Sequence, residues 1–217
     1  MSSYLNEVIK HRAPAMPLLT KALKDGGFSK AAETGFLNPS SVKEGDEIRF
    51  TILGDESSTG YELWMDSNEL RENGTPKGVK TRFKDEPSAA DMAERAAELG
   101  GKVRADSKVK QFMAFAIWNY ELEKVQIFEF SQQSIANPLI ATLSDEEVEA
   151  EPQLTDFKIS ATGSGLEKRY QVVSLAGRRR KPAIDGPITE AWEKVLKDGF
   201  DISVLVSGGD PFKGSHF

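Results

Sequence analysis

Aromatic and basic side chains are interleaved at several places in this chain, and binding unpaired bases is the chemistry that pairing suits. Lys80, Arg82, Phe83 and Lys84 set cations around a ring. Lys108 and Lys110 precede Phe112 and Phe115, Trp118 and Tyr120 lead into Lys124, and Lys168 and Arg169 adjoin Tyr170. Flat rings stack on unpaired bases, each worth on the order of 1–3 kcal/mol, while cations along a groove neutralise phosphates. Other chemistries lack their residues. With no cysteine, thiolate nucleophiles, disulfides, cysteine-ligated zinc and iron–sulfur clusters are excluded. His11 and His216 are the only histidines and both lie near a terminus, which argues against a catalytic triad or a polyhistidine metal site. No phosphate-binding loop is present, and Gly163-Ser164-Gly165 reads as a turn between strands. The acids of 145–151 lack the glycine and spacing of a calcium loop and read as a solvated linker. The expectation is a non-enzyme without cofactor or metal.

The net charge is −6 over 217 residues, yet it is segregated. Residues 77–84 hold four basic side chains and no acid, 102–110 hold four against Asp106, and 178–181 are basic throughout. Placement of charge, more than its total, decides whether a polyanion binds. Apolar runs are far too short for a membrane helix, and the first 30 residues lack a signal core.

Strands and helices must position these side chains. Ile48, Phe50 and Ile52 alternate with Arg49 and Thr51, as in a half-buried strand. Residues 54–60 read as a loop, and Tyr61–Met65 as a second strand pairing with the first in a hairpin. Tyr61, Leu63 and Met65 form its apolar set, which leaves Trp64 exposed. Residues 66–82 read as loop with room for one irregular strand. Ser88 and Asp91 place a capping box before an alanine-rich helix over 88–99, stopped by Gly100-Gly101. Phe112–Tyr120 and Val125–Phe130 form a hairpin around 121–124. On its first strand Met113, Phe115 and Ile117 look inward, so Phe112, Trp118 and Tyr120 fall on an outer or groove face. A helix with Pro138 inside follows over 131–143, then a hairpin of 157–162 with 168–175, then a helix over 189–196. The expected fold is mainly β (α+β): an OB-like five- to six-stranded barrel with an inserted helix and short flanking helices. Its parts are an N-terminal arm (1–35), an OB-fold DNA-binding domain (36–206) and a flexible C-terminal tail (207–217).

Phe36–Leu53 with Gly60-Tyr-Glu-Leu-Trp64, the block Phe112–Tyr120 with Val125–Ile135, and Asp156–Val172 with its Thr-Gly-Ser-Gly-Leu turn occur in an order that resembles phage single-stranded DNA-binding proteins with an OB core. The likeness spans residues 36–182. It implies sequence-independent binding and protection of single-stranded DNA in phage replication, recombination and repair, in the host cytoplasm and without catalysis. It also implies phage replication or recombination proteins as partners. Separately, the mildly basic and amphipathic N-terminal arm reads as a link between neighbouring protomers on the strand. The chain lacks the zinc-binding cysteines of T-even-type proteins, and its tail holds a single acid, Asp210, where many such proteins end strongly acidic.

The stacking candidates are Trp64, Phe83, Phe112, Trp118, Tyr120 and Tyr170. The phosphate contacts are Arg49, Lys80, Arg82, Lys84, Lys108, Lys110, Lys168 and Arg169. An alternative keeps the same barrel as a phage protein-interaction or structural module, with its aromatics in core and interface. A carboxylate-metal nuclease is a third reading, which no spacing of the acids supports.

Overall fold

The structure, a computed structural model, describes residues 35–149, 154–175 and 186–213, all within the compact unit that begins at Thr34. The arm up to residue 34, the basic run Arg178–Lys181 and the last residues of the tail, 214–217, lie outside the described residues. The elements are β1 (Phe36–Leu37), β2 (Glu47–Leu70), β3 (Pro76–Phe83), α1 (Ala89–Glu98), β4 (Lys102–Val103), β5 (Lys110–Asn119), β6 (Lys124–Phe130), α2 (Gln133–Leu143), α3 (Glu146–Glu149), β7 (Asp156–Thr162), β8 (Arg169–Ser174) and α4 (Gly186–Lys197). Two 3-10 helices, Ile202–Ser207 and Pro211–Lys213, follow α4.

The protein is mainly β. One mixed eight-stranded sheet runs β1-β6-β5-β2-β7-β8, with β3 and β4 joined to β2. The β1–β6 pair is parallel and the rest are antiparallel. The strand path does not return on itself, so in place of the expected OB-like barrel of five or six strands the chain forms an open sheet of eight.

β2 is the strand on which the others depend. Glu47–Leu53 and Tyr61–Met65 are not the arms of a hairpin, as expected, but parts of one 24-residue strand, and the intervening loop is strand too. One edge of β2 pairs with β5 from Phe50 to Glu62; the other takes β7 at Glu47–Thr51 and β3 at Tyr61–Leu70. Residues 66–82, read as loop, supply the end of β2 and most of a regular β3. The continuity is hidden by a bulge. Ile52 lies opposite Ile117 and Ser57 opposite Phe115, so Leu53–Glu56 face Ala116 alone. An odd number of extra residues inverts the alternation of side chains. Phe50 and Ile52 point to one face of the sheet, and the even-numbered Glu62 and Trp64 point to the other. Gly54 sits in the bulge at φ +68°, a left-handed conformation open to glycine. A Cβ there would lie 3.2 Å from the Trp192 ring, so the missing side chain also admits α4.

Both faces of the sheet carry a core. On the first, Phe50, Ile52, Phe115, Ile117, Phe128 and Phe157 meet Ile135 and Leu139 of α2. Phe130 of β6 and Val172 of β8, far apart along the sheet, share that cluster, so the sheet curls around α2. On the second face Ala114, Ala116, Trp118 and Ile127 pack under Ile202 and Leu205, with Trp192, Phe200 and Phe212 around them. This corrects two expectations. Trp118 (8% exposed) and Phe112 (0%) do not stand on an open face. Residues 207–213 are not a loose tail, because Phe212 packs at 5.5 Å on Phe200 and closes over Gly35. Small residues at 114 and 116 make room for the C-terminal cover. A third cluster seats α1, whose capping box forms as read from sequence, against Leu63 and Met65 through Ala96.

Truncating this second core is costly, because neighbours relax only partly into the void. Trp118→Ala is expected to lose about 3–5 kcal/mol of unfolding free energy, and Leu205→Ala about 2–5 kcal/mol, in denaturant titrations with an unchanged m-value.

Candidate nucleic-acid interface

The inversion in β2 brings an indole and several cations to one stretch of the second face. Trp64 is 46% exposed there. Its backbone is fixed on both sides: its N–H donates to Ser107 Oγ at 2.7 Å, and its carbonyl accepts from Arg104 N at 3.4 Å. In register, Lys80 lies directly opposite Trp64, Arg82 opposite Glu62, and Lys110 opposite Glu62 on the other edge. Gly78 completes the surface. A Cβ on it would lie 3.5 Å from Trp64 Cε3, 3.1 Å from Arg104 Nη1 and 3.9 Å from Arg71 Nη2. The absent side chain thus lets the indole and two guanidinium groups come together over the strand at this point. Arg104 is held loosely, its Nε 3.7 Å from Asp66 and 3.5 Å from Asp106, and its side chain stays 37% exposed. Such a ring, with cations at its rim, can stack on a base and pair with the flanking phosphates.

Next to this platform the charges are paired. Lys80 Nζ sits 2.8 Å from Glu129 Oε1 and 3.2 Å from Glu62 Oε2. Arg82 pairs with Glu129, donates to the Leu205 carbonyl at 3.0 Å and lies 5.0 Å over the Phe112 ring. Arg82 therefore ties β3 to β6 and to the C-terminal cover, and Phe112 is the buried surface beneath it rather than a stacking platform. Lys84, Lys108 and Lys110 are exposed and make no ion pair among the described residues.

The remaining candidates are dispersed. Arg49 pairs with Asp156, whose side chain is 0% exposed, and stands 4.4 Å over Tyr120, whose hydroxyl donates to Asp156 at 2.8 Å. Burial, the largest single influence, opposes the charge of Arg49, and Asp156 together with Tyr120 and Glu121 outweighs it, holding the guanidinium above its usual range. These residues lock β2, β5 and β7 together. Lys168 donates to the Ser40 carbonyl at 2.7 Å and lies 5.4 Å over Tyr170. Tyr170 packs on the first core, and burial raises its phenol pKa. Arg169 is exposed, and Phe83 packs beside Leu63 and Met65. Of the candidates, the structure thus gathers Trp64, Lys80, Arg82 and Lys110. It adds Arg71, Arg104 and Gly78, which the residue types did not single out. Arg104 lies in the basic run 102–110, whereas Arg71 sits in a turn whose hairpin was not foreseen.

Among the described residues no group of three or more acidic or histidine side chains could hold a metal, and no helix is long and apolar enough to cross a membrane.

The buried Asp156 makes Arg49 a structural residue. Arg49→Met strips a buried carboxylate of its cation and is expected to cost about 3 kcal/mol in chemical unfolding, at the low end because Tyr120 still donates. No family model, curated protein or solved structure matches the chain, so a role for this surface is argued from its geometry.

Proposed function

We propose that the protein binds single-stranded DNA through the second face of its sheet, with Trp64 as a stacking platform. It serves to cover and protect single strands during phage replication, recombination and repair, without catalysis. The observation that carries this reading is the exposed indole of Trp64, fixed at its backbone and ringed by Arg71, Arg104 and Lys80. A single exposed apolar side chain is ordinary on a protein surface, and it is the fixed backbone and the cations at its rim that set Trp64 apart. The ring suits a partner with a flat face, and the cations select one that also carries negative charge. Unpaired bases on a phosphate backbone offer both, whereas a duplex hides the faces of its bases. Lys108, Lys110 and Lys84 extend the positive surface, and the overall charge of −6 weakens indiscriminate binding to duplex. The curl of the sheet around α2, with β2 serving both of its halves, supports an OB-like architecture left open at its edges. Self-association on the strand and recruitment of replication proteins belong to the same reading.

Titration of labelled oligo-dT of about 30 nucleotides tests it. Binding should weaken with salt, the logarithmic slope being about −0.7 per phosphate neutralised. Trp118 is buried and Trp192 half-buried, so fluorescence quenching should arise from Trp64 and vanish in Trp64→Phe. Trp64→Ala should weaken binding about tenfold, the loss of one stacked base, and change stability by no more than about 0.5 kcal/mol. A Trp64→Ala protein that binds as wild type would remove this surface from the interface, and absence of binding at low salt would end the reading.

A further inference from the structure

A cleft of about 260 Å³ opens next to the Trp64 platform, between β1 and β3. Its charged lining is Glu62, Lys80, Arg82 and Glu129; Asn38, Ser131 and Gln132 add neutral polar groups, and Phe36, Pro39 and Phe130 supply apolar walls. The formal charges of the four charged side chains cancel. A phosphate entering would meet two carboxylates, and a cationic ligand would meet Lys80 and Arg82. The lining suits a neutral, flat ligand that carries hydrogen-bond donors and acceptors along one edge. Of the two carboxylates, Glu62 is the less satisfied: Glu129 accepts hydrogen bonds from Lys80 and Arg82, whereas Glu62 has, among the described residues, the Lys80 ion pair alone. Glu62 is 8% exposed, and its Oε2 is buried without a hydrogen bond, the 3.2 Å approach of Lys80 being a charge contact only. A buried carboxylate oxygen in that state favours a ligand that donates to it.

We propose that this cleft seats one base of the bound strand and prefers guanine to thymine. The inference rests on the single-strand reading above and adds a preference at one position of an otherwise sequence-tolerant surface. Guanine presents two adjacent donors, N1–H and the N2 amine, for the two oxygens of the Glu62 carboxylate; Oε2 is closed to solvent with Lys80 3.2 Å away, so the ammonium must turn from it to the neighbouring O6, which accepts its hydrogen bond, as the base enters. Thymine presents one N–H between two carbonyls, so one of those carbonyls would face Glu62 and be repelled. Cytosine and adenine each set a ring acceptor beside their amine and can offer the carboxylate only a single donor. Recognition of the base edge is open to a single strand, whose bases are free of partners.

Fluorescence anisotropy of the full chain with strands of about 15 nucleotides tests the seat. One strand is all dT, a second carries isolated dG residues among dT, and a third carries hypoxanthine in place of those guanines. The dG strand should bind about tenfold more tightly than dT, the worth of one bidentate contact. Hypoxanthine, which lacks the N2 amine, should lose most of that gain. Glu62→Gln should bring the dG and dT affinities together, and thermal unfolding checks that the variant folds. If it does not, the hypoxanthine strand on the wild-type protein decides. Equal affinity for dG and dT, or a gain that survives hypoxanthine, would overturn the base seat and leave single-strand binding standing. Failure of every strand to bind would overturn both.

Discussion

Much of the architecture hangs on one irregularity, the bulge at Leu53–Glu56. A strand crossing a sheet with unbroken alternation commits each parity to one face. Here Phe50 and Ile52 fill the core around α2, and continued alternation would send Glu62 and Trp64 toward that same side. The extra residues turn them to the opposite face and let Leu63 and Met65 meet α1 instead. The bulge also creates the left-handed Gly54 against which Trp192 docks. The inversion that aims Trp64 outward is thus tied to the helix that helps cover the same face farther along. Changing the length of the bulge by one residue would exchange apolar and polar sides over half of β2.

The second consequence is a division of labour among the cations. Basic side chains on a sheet can hold the fold or meet a ligand, and burial of the partner tells which. Arg49 faces a carboxylate with no solvent exposure and Arg82 spans from β3 to β6 and a backbone carbonyl, so both are committed to the structure. Lys168 spends a hydrogen bond on the Ser40 carbonyl, drawing the β7–β8 hairpin toward the turn after β1. Arg71, Lys84, Lys108 and Lys110 remain in solvent, where a phosphate can reach them. Basic residues in a sequence are therefore a poor count of contacts until their acidic partners are placed.

The local elements were legible in the sequence where their signals are local. The capping box of α1, the β5–β6 and β7–β8 hairpins and the exposure of Trp64 follow from residue type, turn chemistry and alternation. What escaped depends on distant partners. Gly54, Ser57, Ser58 and Gly60 look like a loop, yet β5 pairs with 57–60 and the strand runs on through the bulge at Gly54. Trp118 and Phe112 look like outer residues because Met113, Phe115 and Ile117 fill one face. Nothing in 111–120 announces that residues from 188 to 212 return to cover the other. Alternation shows that a strand has two sides and is silent on how many of them are buried. The same limit applies to the site, since Gly78 and Arg104 gain their meaning from Trp64 across the β2 ladder.

Platform and cleft together bear on how a strand would lie. Arg71, Arg104 and Lys80 reach the rim of Trp64, with Asp66 and Asp106 near Arg104, and the charged lining of the neighbouring cleft is of both signs and neutral in sum. On the proposed reading the backbone would run over the cations at the rim, with the bases toward the indole and the mixed lining. Reversing the two would set phosphates against Glu62 and Glu129 and leave the cations facing neutral rings. Lys80 lies at the boundary, opposite Trp64 in register and ion-paired to both glutamates. A phosphate that competes for Lys80 loosens its hold on Glu62, and a base that donates to Glu62 replaces what the carboxylate gives up. Occupation of the platform and of the cleft should therefore reinforce each other through this one lysine. A duplex, with its bases turned inward and its donors already spent, can occupy neither in that way.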